Sequence, residues 1–188
     1  MRCFLAIPLT DPLRDALARL QAELPVGRLV PEENLHLTLA FLDERDDPAL
    51  AALDEELSAL SAPSFDLIPR GLGVFGGNRP RSLHAVILPS SPLADLHARI
   101  QGAIRRAGID LRRERYVPHI TLARFGTGAR GASLDALQHF LAAHLGFEGP
   151  PFPVTEFHLY QSVLRPDGAL HEELARYPLI SPADGDTP

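Results

Sequence analysis

Two kinds of apolar spacing run along this chain. Leu13, Ala16, Leu17, Leu20 and Leu24 recur at intervals of three and four, as do Leu93, Leu96, Ile100, Ala103, Ile104 and Ala107. Each set falls on one face of a helix. Asp11 before Pro12 and Ser91 before Pro92 read as N-caps ahead of a proline at the first helical position. Two further helices are expected, one from about Pro48 carrying Leu50, Leu53, Leu57 and Leu60, and one after Ser133 carrying Leu134, Leu137 and Leu141. Short runs bounded by Gly or Pro predict strands at 2–7, 35–41, 64–70, 82–88, 119–124, 152–161 and 170–177. Helices and strands alternate without a sustained parallel β-α-β rhythm, so the expected class is α+β. Gly71 to Arg81 reads as a loop between two halves, and the polar segment 181–188 as a flexible tail.

The pattern also repeats itself. PLRDALARLQ at 12–21 is echoed by PLADLHARIQ at 92–101, with six identities at an offset of 80. Each segment follows a short apolar run (CFLAIP, HAVILP) and leads to a related tetrapeptide, His36-Leu37-Thr38-Leu39 and His119-Ile120-Thr121-Leu122. A period this long is not a solenoid repeat; it indicates a duplicated lobe. The expected architecture is therefore a duplicated bilobal fold, two related antiparallel sheets backed by helices around a central cleft, occupying residues 1–180 as one domain.

Read as strands, the two tetrapeptides place His36 with Thr38, and His119 with Thr121, on one face each, while Leu37, Leu39, Ile120 and Leu122 point to a core. Pro118 keeps the chain extended into His119. If a pseudo-two-fold axis relates the lobes, two imidazoles and two hydroxyls meet across one cleft. Chance placement of 8 His and the six Thr gives roughly 0.3 H-x-T; the chain has two, both in apolar strand contexts. The blander alternative is two surface histidines with threonine serving β-propensity. Pairing at equivalent positions of a duplication favours chemistry. One neutral and one protonated imidazole form a base and an acid near neutrality, and hydroxyls can stabilise a crowded phosphorane. Nothing in this scheme demands a metal or another cofactor.

Composition narrows the partners. The 188 residues carry a net charge of −6, with 45% hydrophobic residues. That balance argues against coating duplex nucleic acid electrostatically, and all 18 basic residues are arginine. Any nucleic-acid contact should be local. No apolar run is long enough to span a bilayer, and the five-residue apolar stretch at the N-terminus is too short for a secretory signal, so a cytoplasmic location is expected. Cys3 alone permits no internal disulfide and no cysteine zinc site.

With these motifs, the chain resembles the two-histidine phosphoesterases, and among them the RNA 2′,3′-cyclic phosphodiesterases, or 2′-5′ RNA ligase family. The resemblance rests on the two H-x-T-x motifs, the opening RCFLAI, HLTLAFLDE, HITLARF and the closing FHLYQSVLRPDGALHEEL. It implies that His36 is the proton donor to the leaving O3′ and His119 the base that activates water, with Thr38 and Thr121 on the phosphate and a 2′-phosphate as product. Reversible 2′-5′ ligation is implied as a further possibility. The partners are RNA ends bearing a 2′,3′-cyclic phosphate, such as tRNA fragments or short oligonucleotides, with no obligate protein partner. Phe41 matches a family aromatic that stacks on a base, and Arg124 a family arginine near the phosphate.

Two positions depart from the family pattern: Asp43 stands where glycine is usual, and His171 where an aromatic is frequent. Asp43 is expected to reshape a turn, and His171 to lie on the lobe surface. His84 is a weak candidate for substrate contact, while His97, His139, His144 and His158 read as structural or solvated. Arg79 and Arg81 are weak candidates for RNA phosphates. Alternatives include a related phosphodiesterase acting on other cyclic phosphates or on 2′-5′ oligonucleotides, a non-catalytic RNA-end binding module, and a metal-dependent hydrolase.

Overall fold

The computed structural model describes residues 1–112, 115–165 and 168–181. Most of the expected flexible tail, residues 182–188, therefore lies outside the described residues. The elements in chain order are β1 (Arg2–Pro8), α1 (Asp11–Ala22), β2 (Arg28–Leu29), a 3-10 turn (Glu32–Asn34), β3 (His36–Glu44), α2 (Asp47–Ser58), β4 (Phe65–Leu67), β5 (Pro69–Phe75), β6 (Ser82–Ile87), α3 (Ser91–Arg106), β7 (His119–Arg124), α4 (Ala132–Ala143), β8 (Phe152–Val154), β9 (Glu156–Arg165) and β10 (Gly168–Pro178).

The α+β class holds, with antiparallel sheets throughout. Seven strands run in the order β10-β9-β1-β3-β7-β6-β5, with β2 added on β7, and β4 pairs with β8 in a second, two-stranded sheet. The two motif strands were expected on two related sheets; instead they meet within the larger one, where Leu37 pairs with Ile120. That pair is the seam between the halves. Its side chains are fully buried, so each half contributes apolar surface to one shared core.

The helices cover the apolar face. Leu13, Leu17 and Leu20 of α1, Leu53 and Leu57 of α2, Leu96 and Ile100 of α3, and Leu137 and Phe140 of α4 join Leu5, Ile7, Leu37, Leu39, Ile120 and Leu122 in one buried cluster. The caps sit one residue earlier than expected. Thr10 and Ser90 precede the helices, and the Ser90 hydroxyl accepts from Leu93 N–H, so Asp11 and Ser91 are the first helical residues and the prolines follow them. Buried Gln21 of α1 ties helix to sheet, its amide donating to the carbonyls of Val30 and Leu122 at 2.8 Å each.

The segment expected as a loop, Gly71–Arg81, is largely a hairpin. β5 runs to Phe75 and pairs with β6 from Pro69↔Ile87 to Phe75↔Ser82. Its glycines suggested a loop but do sheet work. Gly71, at φ +83, lies in the register shift between Pro69 and Leu72. Gly73 faces His84 so closely that a Cβ there would lie 2.5 Å from the imidazole Nε2.

Candidate active site

The strand face not covered by helices carries both motifs. Burial along His36–Leu39 and His119–Leu122 alternates between half-buried His and Thr and buried Leu or Ile. Carried one residue either way from Leu37↔Ile120, the antiparallel register sets His36 beside Thr121 and Thr38 beside His119. The two histidines are then diagonal neighbours, roughly 7–8 Å apart by ladder geometry. That span suits a phosphate held between two side chains.

Both imidazoles are held by the same device. His36 Nδ1 lies 2.8 Å from the Asn34 carbonyl and His119 Nδ1 lies 2.7 Å from the Val117 carbonyl. A carbonyl only accepts, so each Nδ1 carries the proton and donates, leaving Nε2 as the exchangeable atom. Asn34 is itself anchored: its amide donates to the Ala169 carbonyl of β10 at 2.7 Å, fastening the β9–β10 hairpin to the turn that delivers His36.

Each histidine also rests against a phenylalanine and a second histidine. Phe4 lies 4.8 Å from His36 between ring centroids, and His171 stands edge-on to both at 4.8 and 5.2 Å. On the other side, Phe75 lies 4.8 Å from His119 and 4.2 Å from His84, with the two histidine rings 5.1 Å apart. His171 is thus half-buried beside His36 rather than on the lobe surface as expected, and β10 carries it there. His84 is 4% exposed, lodged behind His119, and its Nδ1 has no hydrogen-bond partner among the described residues.

These surroundings fix protonation. Burial pushes His36 down to about 4, reinforced by the nearby His171, Arg124 and His119, while the Asn34 carbonyl pulls the other way. Burial, then Arg124, lowers His119 against the pull of the Val117 carbonyl, and burial pushes His84 to about 4. For both motif rings in the free protein the shift favours the neutral form. An anion between them would oppose the shift and allow one ring to take a proton.

Comparison with known proteins identifies the family. Residues 9–165 match the family model described as the 2′-5′ RNA ligase superfamily. A Thermus thermophilus protein named RNA 2′,3′-cyclic phosphodiesterase is 34% identical, with 95% of this chain aligned to 90% of that one. The chain belongs to the 2′-5′ RNA ligase superfamily. A Geobacillus stearothermophilus relative of the same name is 32% identical over 98% of this chain, which spans only 59% of that relative's length. The crystal structure of Escherichia coli LigT in apo form matches with a TM-score of 0.75 at 26% identity, covering 95% of this chain and 96% of LigT.

Within this superfamily fold, Phe41 and Arg124 prove to be counterparts. A register shift between Leu5 and Ala6 leaves Leu39 as an extra residue in β3, and one between Leu83 and His84 does the same for Leu122 in β7. Such a bulge flips the phase of the strand. Phe41 and Arg124, each five residues after its histidine, return to the His/Thr face and are exposed, Phe41 at 60%. Strict period-two reading would have sent both to the core. Asp43 adopts φ +57, a conformation glycine takes at no steric cost.

The other histidines make no ring contact or hydrogen bond to the motif pair among the described residues. His139 and His144 bond carbonyls of their own helix, and His97 stacks on Tyr116 at 3.9 Å. His158 is buried, with Nδ1 2.9 Å from the Tyr160 hydroxyl. Sequence reasoning missed Phe4, Phe75 and Asn34 as parts of the site. Phe4 pairs with Phe41 across β1 and β3, a pairing that depends on the bulge; Phe75 was hidden by the loop reading.

Proposed function

We propose that the protein hydrolyses RNA 2′,3′-cyclic phosphate ends to 2′-phosphates by acid/base catalysis between His36 and His119. The observation that carries this is the pair of Nδ1-anchored imidazoles, each with Nε2 as its exchangeable atom, beside two threonine hydroxyls on one open face. In the assignment the resemblance implies, His119 Nε2 takes a proton from water as its oxygen attacks phosphorus. The P–O3′ bond breaks, and O3′ takes the proton of His36 Nε2. Thr38, Thr121 and Arg124 stabilise the charge on the non-bridging oxygens. Because burial favours the neutral rings in the free protein, the substrate's own negative charge supplies the field that lets His36 hold its proton. Phe41 offers a stacking surface for the terminal base. The chemistry needs no metal, and ligation follows the same course with a 5′-hydroxyl in place of water.

The test is incubation with 2′,3′-cyclic AMP in excess EDTA, read by phosphorus NMR. Accumulation of 2′-AMP supports the reaction class, metal independence and the leaving oxygen together. Formation of 3′-AMP would reverse the choice of leaving oxygen, and turnover that stops in EDTA would overturn the metal-free mechanism.

A further inference from the structure

One end of the sheet is far more basic than the protein's net charge of −6 suggests. Three loops are knitted together there. The Phe125 N–H donates to the Arg81 carbonyl and the Ala129 N–H to the Pro80 carbonyl, both at 2.8 Å. Gly128 packs on Arg79, where a Cβ would meet its side chain at 3.1 Å, and Gly27 packs on the Phe125 ring. The loop segments GRLVP (27–31), GGNRPR (76–81) and RFGTGARG (124–131) contain no acidic residue. Arg79, Arg81, Arg124 and Arg130 are all exposed, and none of the four is ion-paired among the described residues.

The end opposite is acidic. The far end of β3 and the start of α2 expose Asp43, Glu44, Asp46 and Asp47. The basic end also offers a ring. Phe75 is 38% exposed and pairs with Ser82, which pairs with Arg124, which pairs with Arg28. An aromatic, a hydroxyl and two arginines therefore share one row across four strands, and Phe75 touches His119. A stacking ring beside exposed arginines is what a flexible polyanion with bases requires. A mononucleotide needs only Arg124.

We propose that this arginine end, with Phe75 as its stacking surface, is the tract that holds the single-stranded RNA leading to the cyclic-phosphate end. This deepens the reading above and rests on it. Strand phosphates lie over Arg79, Arg81, Arg124 and Arg130, directed away from the acidic end of β3.

The probes are a labelled ten-nucleotide single-stranded RNA ending in a 2′,3′-cyclic phosphate and, for comparison, 2′,3′-cyclic AMP. Four arginine–phosphate contacts give a slope of log kcat/KM on log salt of about −3 for the RNA, or about 60-fold between 50 and 200 mM KCl. The mononucleotide should lose less than about fourfold. The triple variant R79E/R81E/R130E should lower the RNA-to-mononucleotide ratio of kcat/KM by at least about 30-fold, and Phe75→Ala by about tenfold. R79Q/R81Q/R130Q repeats the test with less disturbance of the loops. Equal salt slopes for the two substrates, or a ratio unmoved by both triple variants, would overturn the proposal. Fluorescence anisotropy separates it from the catalytic reading. Salt-sensitive RNA binding lost in the triple variant supports the tract even where no hydrolysis is seen, and hydrolysis of the mononucleotide with RNA binding unaltered by the variant overturns the tract alone.

Discussion

Gly73→Ala tests whether the ring behind His119 matters to it. Gly73 lacks a positive φ, so the substitution strains no backbone; its whole effect is steric. The added methyl would sit 2.5 Å from His84 Nε2 and 3.1 Å from Cε1. Restoring ordinary contact near 3.4 Å moves the imidazole by about 0.9 Å, and the ring has little room. It is 4% exposed, stacked on Phe75 at 4.2 Å and edge-on to His119 at 5.1 Å. Overpacking of this kind costs about 1–3 kcal/mol, and a displacement near 1 Å passed to a reacting group costs about 10–100-fold in rate. Thermal unfolding and kcat on 2′,3′-cyclic AMP would be measured for Gly73→Ala, His84→Ala and the double variant. With the imidazole removed the methyl has nothing to strike, so Gly73→Ala should be nearly silent in the His84→Ala background. An active, fully stable single variant would refute the reasoning, as would a penalty of equal size in both backgrounds.

Other consequences are checked more directly. His36→Ala and His119→Ala should each lower kcat by about 10²–10⁴, and Thr38→Ala or Thr121→Ala by at most about 10²–10³; steady-state kinetics on the cyclic nucleotide decide, and hydroxyl losses equal to the imidazole losses would contradict the assigned roles. Stability should fall in acid. His36 and His84 have folded values of about 4 against an ordinary 6.5, so the unfolded chain takes protons first as pH drops, and stability complete above 6.5 is lost between 6.5 and 4. For the buried His84 that amounts to about 2 kcal/mol between pH 7 and 5, and His84→Phe should flatten the pH dependence of the melting temperature in that window. Asp43→Gly should raise stability by up to about 1 kcal/mol and Asp43→Ala should lower it by a similar amount, read from denaturant midpoints, because φ +57 favours glycine.

How far the site could be read from the chain depended on which physical signal each residue leaves. His36, Thr38, His119 and Thr121 were legible because period-two alternation is a local property, and buried Leu37 and Ile120 supply the apolar positions between them. The helix faces were legible for the same reason, through a single periodicity. The bulges at Leu39 and Leu122 were not, since an extra residue is defined by the partner strand and leaves only two consecutive apolar positions in the sequence. The resemblance, rather than alternation, had brought Phe41 and Arg124 into view. Gly71 and Gly73 misled for a related reason. A glycine signals a loop when considered alone, but Gly73 is opposite His84, and what the position requires is space for a neighbour's ring. His171 was least legible. It reaches His36 because the β9–β10 hairpin returns across the sheet and Asn34 bonds Ala169 over 135 residues of separation. The two flanking histidines occupy different strands, β6 and β10, so the sequence echo relates the motif pair but not the rings behind it. Both motif histidines nonetheless have a phenylalanine and a second imidazole as neighbours. Under the proposed mechanism each exchangeable Nε2 belongs to a ring kept neutral until an anion arrives, and burial against a second imidazole and a phenylalanine favours that neutral form.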